Sequence, residues 1–230
     1  MSTLVFADHV HHLLLDDEFI LLDELGDSYI FLDRQQSQDL LSVFWDSEAI
    51  FADKRWLISK GILRHSNRRQ FISTVHQNGL GIDNYEWRLT RVFRESSVSR
   101  FAVLQLAHQL TVVKLRLKYR GLHYALNVLR QLKRALSNVV DAEAAEVHKH
   151  LARDAVGAMG SAAAYLPYRV ECLESSLALA EFLLRRRVHA EMRIGVQRYD
   201  FLAHAWVEVS GVVIGDHPKL PQRLPAILTV

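Results

Sequence analysis

Cys172 is the only cysteine in the chain, and His204 and Asp216 follow it in the order thiol, imidazole, carboxylate. Nucleophilic attack on an acyl group needs these three types: a sulfur that reacts as thiolate, an imidazole that takes and returns a proton, and a carboxylate that fixes the ring's tautomer. Cys172 falls in the first turn of an expected helix, where unsatisfied N–H groups and the macrodipole favour the thiolate. Each residue also has an ordinary explanation. A lone cysteine on an apolar-faced helix is readily a small core residue. His204, between Ala203 and Ala205, suits a buried histidine, and Asp216 after Gly215 suits a turn carboxylate. The joint order, Cys on a helix and then His and Asp on successive strands, is what favours chemistry.

The elements that must hold these groups can be read from periodicity. From Glu171 to Arg187, Leu173, Leu177, Leu179, Ala180, Leu183 and Leu184 mark a long helix without Gly or Pro. The period then becomes two: Met192, Ile194 and Val196, next Ala203, Ala205, Val207 and Val209, and Val212 to Ile214 after the turn at Ser210-Gly211. Three antiparallel strands are expected. Upstream, residues 97 to 137 read as two helices broken at Gly121, with Leu104, Ala107, Leu110, Val113 and Leu117, then Tyr124, Leu126, Leu129, Leu132 and Leu136 inward. Asp141 to Ala164 reads as a further helix, at least through Met159, stopped by Pro167.

The first third reads as a three-stranded meander over Val10 to Leu15, Phe19 to Asp23 and Ser28 to Leu32, with turns at Asp16-Asp17 and Gly26-Asp27. From Gln35 helical spacing takes over through Leu40, Leu41, Phe44 and Trp45, and a helix over Ala49 to Lys60 is stopped by Gly61. Residues 64–95 gain polar and Gly content and read as a loop-rich connection, so two units are expected: 1–82, a linker at 83–96, and 97–230.

Composition narrows the function classes. Half of the 230 residues are hydrophobic, 23% are charged and the net charge is +2, as in a chain with a packed core. One cysteine excludes an internal disulfide and suits a reducing compartment. Met1 to Val10 carries Asp8 and lacks the pattern of a secretory signal, and no apolar run reaches the ~18 residues of a membrane span, so a cytoplasmic protein is expected. His9, His11 and His12, or His148 and His150, lack the spacing that puts two metal ligands on one helix face, and no phosphate-binding Gly-rich motif occurs. No cofactor is expected from a motif. The rival from another class is a nucleic-acid-binding module using Lys114 to Arg120 and Arg185 to Arg187, although such runs commonly form solvated helix faces.

The stretch from Tyr168 to Leu179, the run Leu183 to Arg187, then Arg193-Ile194-Gly195-Val196, Ala203 to Val209 and Gly211 closely resemble the lasso-peptide leader peptidases, the maturation B proteins. The resemblance is specific over residues 165 to 217 and general from about 97. It implies a transglutaminase-like, papain-like cysteine protease that cuts the leader from a ribosomally made precursor, with Cys172 as nucleophile and His204 and Asp216 as its partners. Tyr168 and Trp206 are the expected cleft residues, and backbone N–H groups near Cys172 the expected oxyanion donors. Whether water or an amine meets the acyl-enzyme, protease or acyl transferase, is left open by the residues. Ser175 stands where the family commonly has a basic residue, and Arg187 where a Gly usually caps the helix.

The N-terminal third is similar to the small winged-helix-like leader-recognition domains of peptide-modifying pathways, a three-stranded sheet followed by short helices. That likeness implies that the leader adds as a strand to Ser28, Tyr29, Ile30, Phe31 and Leu32 and packs on the helix carrying Trp56. The expected fold class is therefore α+β, a leader-recognition domain followed by a protease domain. The implied partners are a lasso precursor and an asparagine-synthetase-like cyclase, with no nucleic acid; the family also implies ATP dependence through the pathway.

Overall fold

The computed structural model describes residues 3–45, 53–68, 70–76, 99–136 and 145–230. The expected linker, 83–96, and the expected helix start at 49–52 lie outside the described residues. The architecture is α+β.

Short polar residues make the first reversals. Asp16 and Asp17 (φ 49° and 70°) and Asp27 (φ 49°) adopt left-handed backbone, which Asp tolerates better than bulkier residues. They connect β2 (Val10–Leu15), β3 (Glu18–Asp23) and β4 (Ser28–Phe31), the expected meander. Two pairings enlarge this region. β1 (Thr3–Phe6) pairs antiparallel with β5 (Leu63–Ser66), and β6 (Thr74–Val75) joins β2 in parallel, giving the order β4-β3-β2-β6. β5 and β6 lie in the stretch expected to be loop-rich, and β1 was not expected; both pairings join segments about sixty residues apart, which local periodicity does not register.

Two helices, α1 (Arg34–Trp45) and α2 (Lys54–Ser59), follow, and Gly61 at φ 72° ends the second as expected. They cover one face of the sheet, where Phe19 and Leu21 pack with Leu40, Val43, Phe44 and Leu57. The other face, with Leu13, Leu15, Ile20 and Leu22, is buried in the same core as the C-terminal elements.

α3 (Arg100–Ala135) breaks at Gly121, whose φ of 76° and ψ of 177° are non-helical. Its inward residues are Leu106, Leu110 and Val113, then Leu122, Ala125, Leu126 and Leu129. Leu104 and Tyr124, expected inward, are 70% and 44% exposed. A helix rich in leucine offers more than one apolar stripe, and packing against its neighbours selects among them. α4 (Ala145–Ala163) runs past Met159, with Pro167 in the loop beyond.

α5 (Cys172–Leu184) is the central helix, with every residue from Ser175 to Leu184 buried. It packs on α3 and on the strands β7 (Ala190–Gln197) and β8 (Leu202–Val209). β9 (Val212–Ile214), the short α6 (Leu220–Arg223) and β10 (Ala226–Thr229) complete an antiparallel sheet in the order β10-β7-β8-β9. The last two elements were not expected. β10 pairs with β7 across the sheet, a partner local patterning does not identify.

Candidate active site

Cys172 is the first residue of α5, and Glu171 before it is extended (φ −93°, ψ 166°). The helix start is held from both sides. Glu174 accepts the Glu171 N–H at 3.0 Å, which satisfies a donor that a helix start leaves open. Lys114 of α3 reaches Glu174 at 2.8 Å and lies over the Tyr168 ring at 4.5 Å. Tyr168 in turn donates to Thr111 at 3.2 Å, so it stitches the loop before Cys172 to α3.

One turn along α5, Ser176 donates to the carbonyl of Ala205 at 2.9 Å, fixing the helix to the strand beside His204. The register places His204 opposite Gly195 on β7, and Asp216 follows β9 after Gly215. Gly215 has φ 75°, and a Cβ there would lie 2.7 Å from the Val156 side chain, so both backbone and space call for glycine.

The three expected residues come together. His204 Nε2 and Asp216 Oδ2 are 2.7 Å apart, with side chains 2% and 7% exposed. Asp216 Oδ1 accepts the His217 N–H at 2.7 Å, which fixes the carboxylate plane. With Nε2 engaged by Asp216, Nδ1 is the ring nitrogen left for the sulfur, and the Cys172 thiol is hydrogen-bonded to His204. Cys172 is only partly buried, so an acyl group can reach it.

The electrostatics follow from these contacts. Burial pushes the Cys172 thiol up, but the hydrogen bond and charge of His204 and the backbone N–H groups of Ala205 and Leu173 outweigh it and hold the thiol below its ordinary value. Burial pulls His204 down, while the hydrogen bonds and charges of Asp216 and Cys172 raise it, leaving it at about 9. The two shifts favour a thiolate–imidazolium pair. Such a pair attacks a carbonyl carbon without first needing an external base.

Trp206 is 1% exposed and sits behind the imidazole, rings 6.4 Å apart and 16° from parallel, and so is not open to the cleft as expected. It shares a face of β8 with His204, since side chains alternate along a strand. Its Nε1 donates to Glu208 at 2.9 Å, and Arg193 holds the other Glu208 oxygen at 3.1 Å. Gly195 makes room for the indole: a Cβ there would lie 2.7 Å from the ring. Glu208, Arg193, Gly195 and Ser176 lie in the stretches that carry the family resemblance, but the sequence assigned them no role at the site. The Trp206–Glu208 spacing of two on a strand was the available signal.

The segment expected to bind a leader, Ser28 to Phe31, is the outer strand of its sheet, with Leu32 buried just after it and Trp56 46% exposed on α2. The basic run of α3 is partly used inside the protein: Lys114 pairs with Glu174, and Arg116 with the buried Glu181. Among the described residues no cluster of His, Cys, Asp or Glu is placed to hold a metal, and no helix is long and apolar enough to cross a membrane.

A thiol at a helix start near a histidine held by a carboxylate, on a helix packed against an antiparallel sheet, is an arrangement able to support acyl transfer through sulfur. Residues 109–229 match the transglutaminase-like superfamily, and the chain belongs to it. The chain is also similar to the microcin J25-processing protein McjB of Escherichia coli, with 38% identity over 63 residues. That stretch spans 27% of this chain and 30% of McjB, under a third of the relative's length. No solved structure matches the chain.

Proposed function

We propose that this chain is a leader peptidase of lasso-peptide maturation, a cysteine protease whose Cys172, His204 and Asp216 cut a precursor at the leader–core junction. The observation that carries the reading is the 2.7 Å His204–Asp216 contact beside a thiol that opens α5 and hydrogen-bonds the same imidazole. Superfamily membership and the likeness to a microcin-processing protein support the substrate class.

The Cys172 thiolate adds to the carbonyl carbon of the scissile peptide bond, and first-turn N–H groups of α5 receive the developing oxyanion. His204 passes its proton to the departing amine as the C–N bond breaks, leaving a thioester and the free core. Water then attacks the thioester. His204 takes one of its protons, the sulfur leaves as thiolate to restore the pair with the imidazolium, and the leader departs as a carboxylic acid that gives its proton to solvent. Asp216 holds the ring throughout.

Residues 1–82 are the docking unit and 97–230 the protease unit in this reading. The outer strand β4 takes the leader by strand addition, with Trp56 nearby on α2, and a cyclase receives the core. The test uses the purified full chain and a synthetic lasso precursor peptide, leader plus core, followed by mass spectrometry. Two fragments from the wild-type chain and none from Cys172→Ala are expected. An intact precursor with the wild-type chain would sink the proposal.

A further inference from the structure

β4 carries two kinds of side chain. Tyr29 pairs opposite Leu22 and Phe31 opposite Ile20, so both sit on the sheet face that enters the C-terminal core, whereas Ile30 packs on the α1 and α2 side. The turn between β7 and β8 comes to meet them. Phe201 lies 5.1 Å from the Tyr29 ring and 4.8 Å from Phe31, both edge-on, and it stands three residues before His204. The same turn is tied to the sheet by Arg198, 4.8 Å over Phe31 and 2.9 Å from Glu18, and by the Tyr199 hydroxyl, 3.1 Å from Glu18. The ring of Tyr29 is thus clamped beside the strand that carries the imidazole.

Among the described residues the Tyr29 hydroxyl anchors nothing. No described residue hydrogen-bonds it, and the one sealed side-chain polar atom lacking a partner among the described residues is Arg193 Nε, so the phenol oxygen opens onto accessible space. Burial, and then the negative charges of Cys172 and Asp27, push the phenol up to about 12, so it stays a proton donor and lies within the field of the sulfur. A donor clamped on an outer strand, against the residue that leads into the strand of His204 and with no acceptor among the described residues, suits a peptide carbonyl.

We infer that the Tyr29 hydroxyl contacts the substrate within the Cys172 chamber, donating to a backbone carbonyl of the peptide segment that runs from the β4 edge to the scissile bond. The N-terminal sheet then serves both as docking platform and as one wall of the chamber. This deepens the peptidase reading and rests on it.

The test is Tyr29→Phe in the full chain, which keeps the ring and its contacts and removes one oxygen. With the precursor peptide, kcat should fall about tenfold or more while KM moves less than about twofold, because the lost contact orients the reacting segment. The rate of Cys172 alkylation by iodoacetamide across pH should match the wild type, since the sulfur's own partners are untouched. Three results overturn the inference: an unchanged kcat, a change in KM alone, or alkylation slowed as much as cleavage. A wild-type chain that leaves the precursor intact removes the peptidase reading and this inference together. A wild-type chain that cuts as well as Tyr29→Phe does removes only the latter.

Discussion

Carboxylates meet imidazoles at two places in this chain. Glu24, just after β3, has no exposed side-chain surface and takes His11, His123 at 2.7 Å and the guanidinium of Arg130. Burial would raise its pKa, but its hydrogen bonds to His11, Arg130 and His123 hold it at about 2. Asp216 takes one imidazole, and beyond that ring lies a thiol at a helix start. At Glu24 the arginine satisfies the carboxylate directly and, among the described residues, no nucleophile stands behind either histidine, so the cluster joins the N-terminal sheet to α3. At Asp216 the carboxylate acts on His204, and the proton affinity it adds is available to sulfur chemistry. A histidine beside a carboxylate thus becomes reactive only when a third group shares its proton.

The comparison breaks first at the sulfur. Cys172→Ala should lower precursor cleavage by at least ~10³-fold while leader affinity, read by fluorescence anisotropy, holds. Retained cleavage would make Asp216 no different in kind from Glu24.

Asp216→Asn comes next, with an expected loss of ~10²- to 10⁴-fold in kcat/KM. The wild-type rate should decline at alkaline pH through about 9 as His204 loses its proton, and in the variant that limb should move to lower pH. Because His204 titrates above its ordinary 6.5, its pairing stabilises the fold fully below about 6.5 and that contribution disappears as pH rises through about 9. An alkaline limb that stays put in the variant would separate Asp216 from the titration.

Glu24→Gln should leave kcat unchanged and lower stability by about 1–3 kcal/mol, the range for a buried partner left unmatched. Since the folded-state pKa of Glu24 is depressed to about 2 from 4.5, the difference in denaturant midpoint should be full above pH 4.5 and shrink as pH falls toward 2. A parallel fall in kcat would show that the cluster reaches the chemistry. The smallest effect is expected from Glu208→Gln. The Trp206 N–H keeps an acceptor while Arg193 loses one charge partner and keeps Glu191 at 3.3 Å, so about 0.5–1.5 kcal/mol and a few-fold in kcat are expected from thermal unfolding and steady-state assays.

These sites were unequally visible in the sequence. The helix at Cys172 and the strands around His204 announced themselves by unbroken apolar periodicity, with Cys172 opening α5, His204 third on β8 and Asp216 two residues past β9. Glu24 gave no such sign, because His11 lies on β2 and His123 and Arg130 follow the break in α3, and only tertiary packing brings them to one carboxylate. β1 and β10 escaped notice for a related reason: each is four residues long and pairs with a distant segment. Tyr29 was expected at the docking edge from the likeness to leader-recognition domains, but its contact with Phe201 belongs to a fold-level arrangement that spacing along the chain does not encode.

The double-faced sheet has a practical corollary for engineering. Leu13, Leu15, Ile20 and Leu22 are at most 7% exposed within the C-terminal core, so a chimera that exchanges the N-terminal region for a relative's must import a matching apolar underside along with any new peptide preference. A transplant chosen only for its outer strand would present a mismatched seam, and each poorly covered aliphatic would forfeit about 1.5–3 kcal/mol. Under the proposed docking role of β4, specificity and foldability are inherited together.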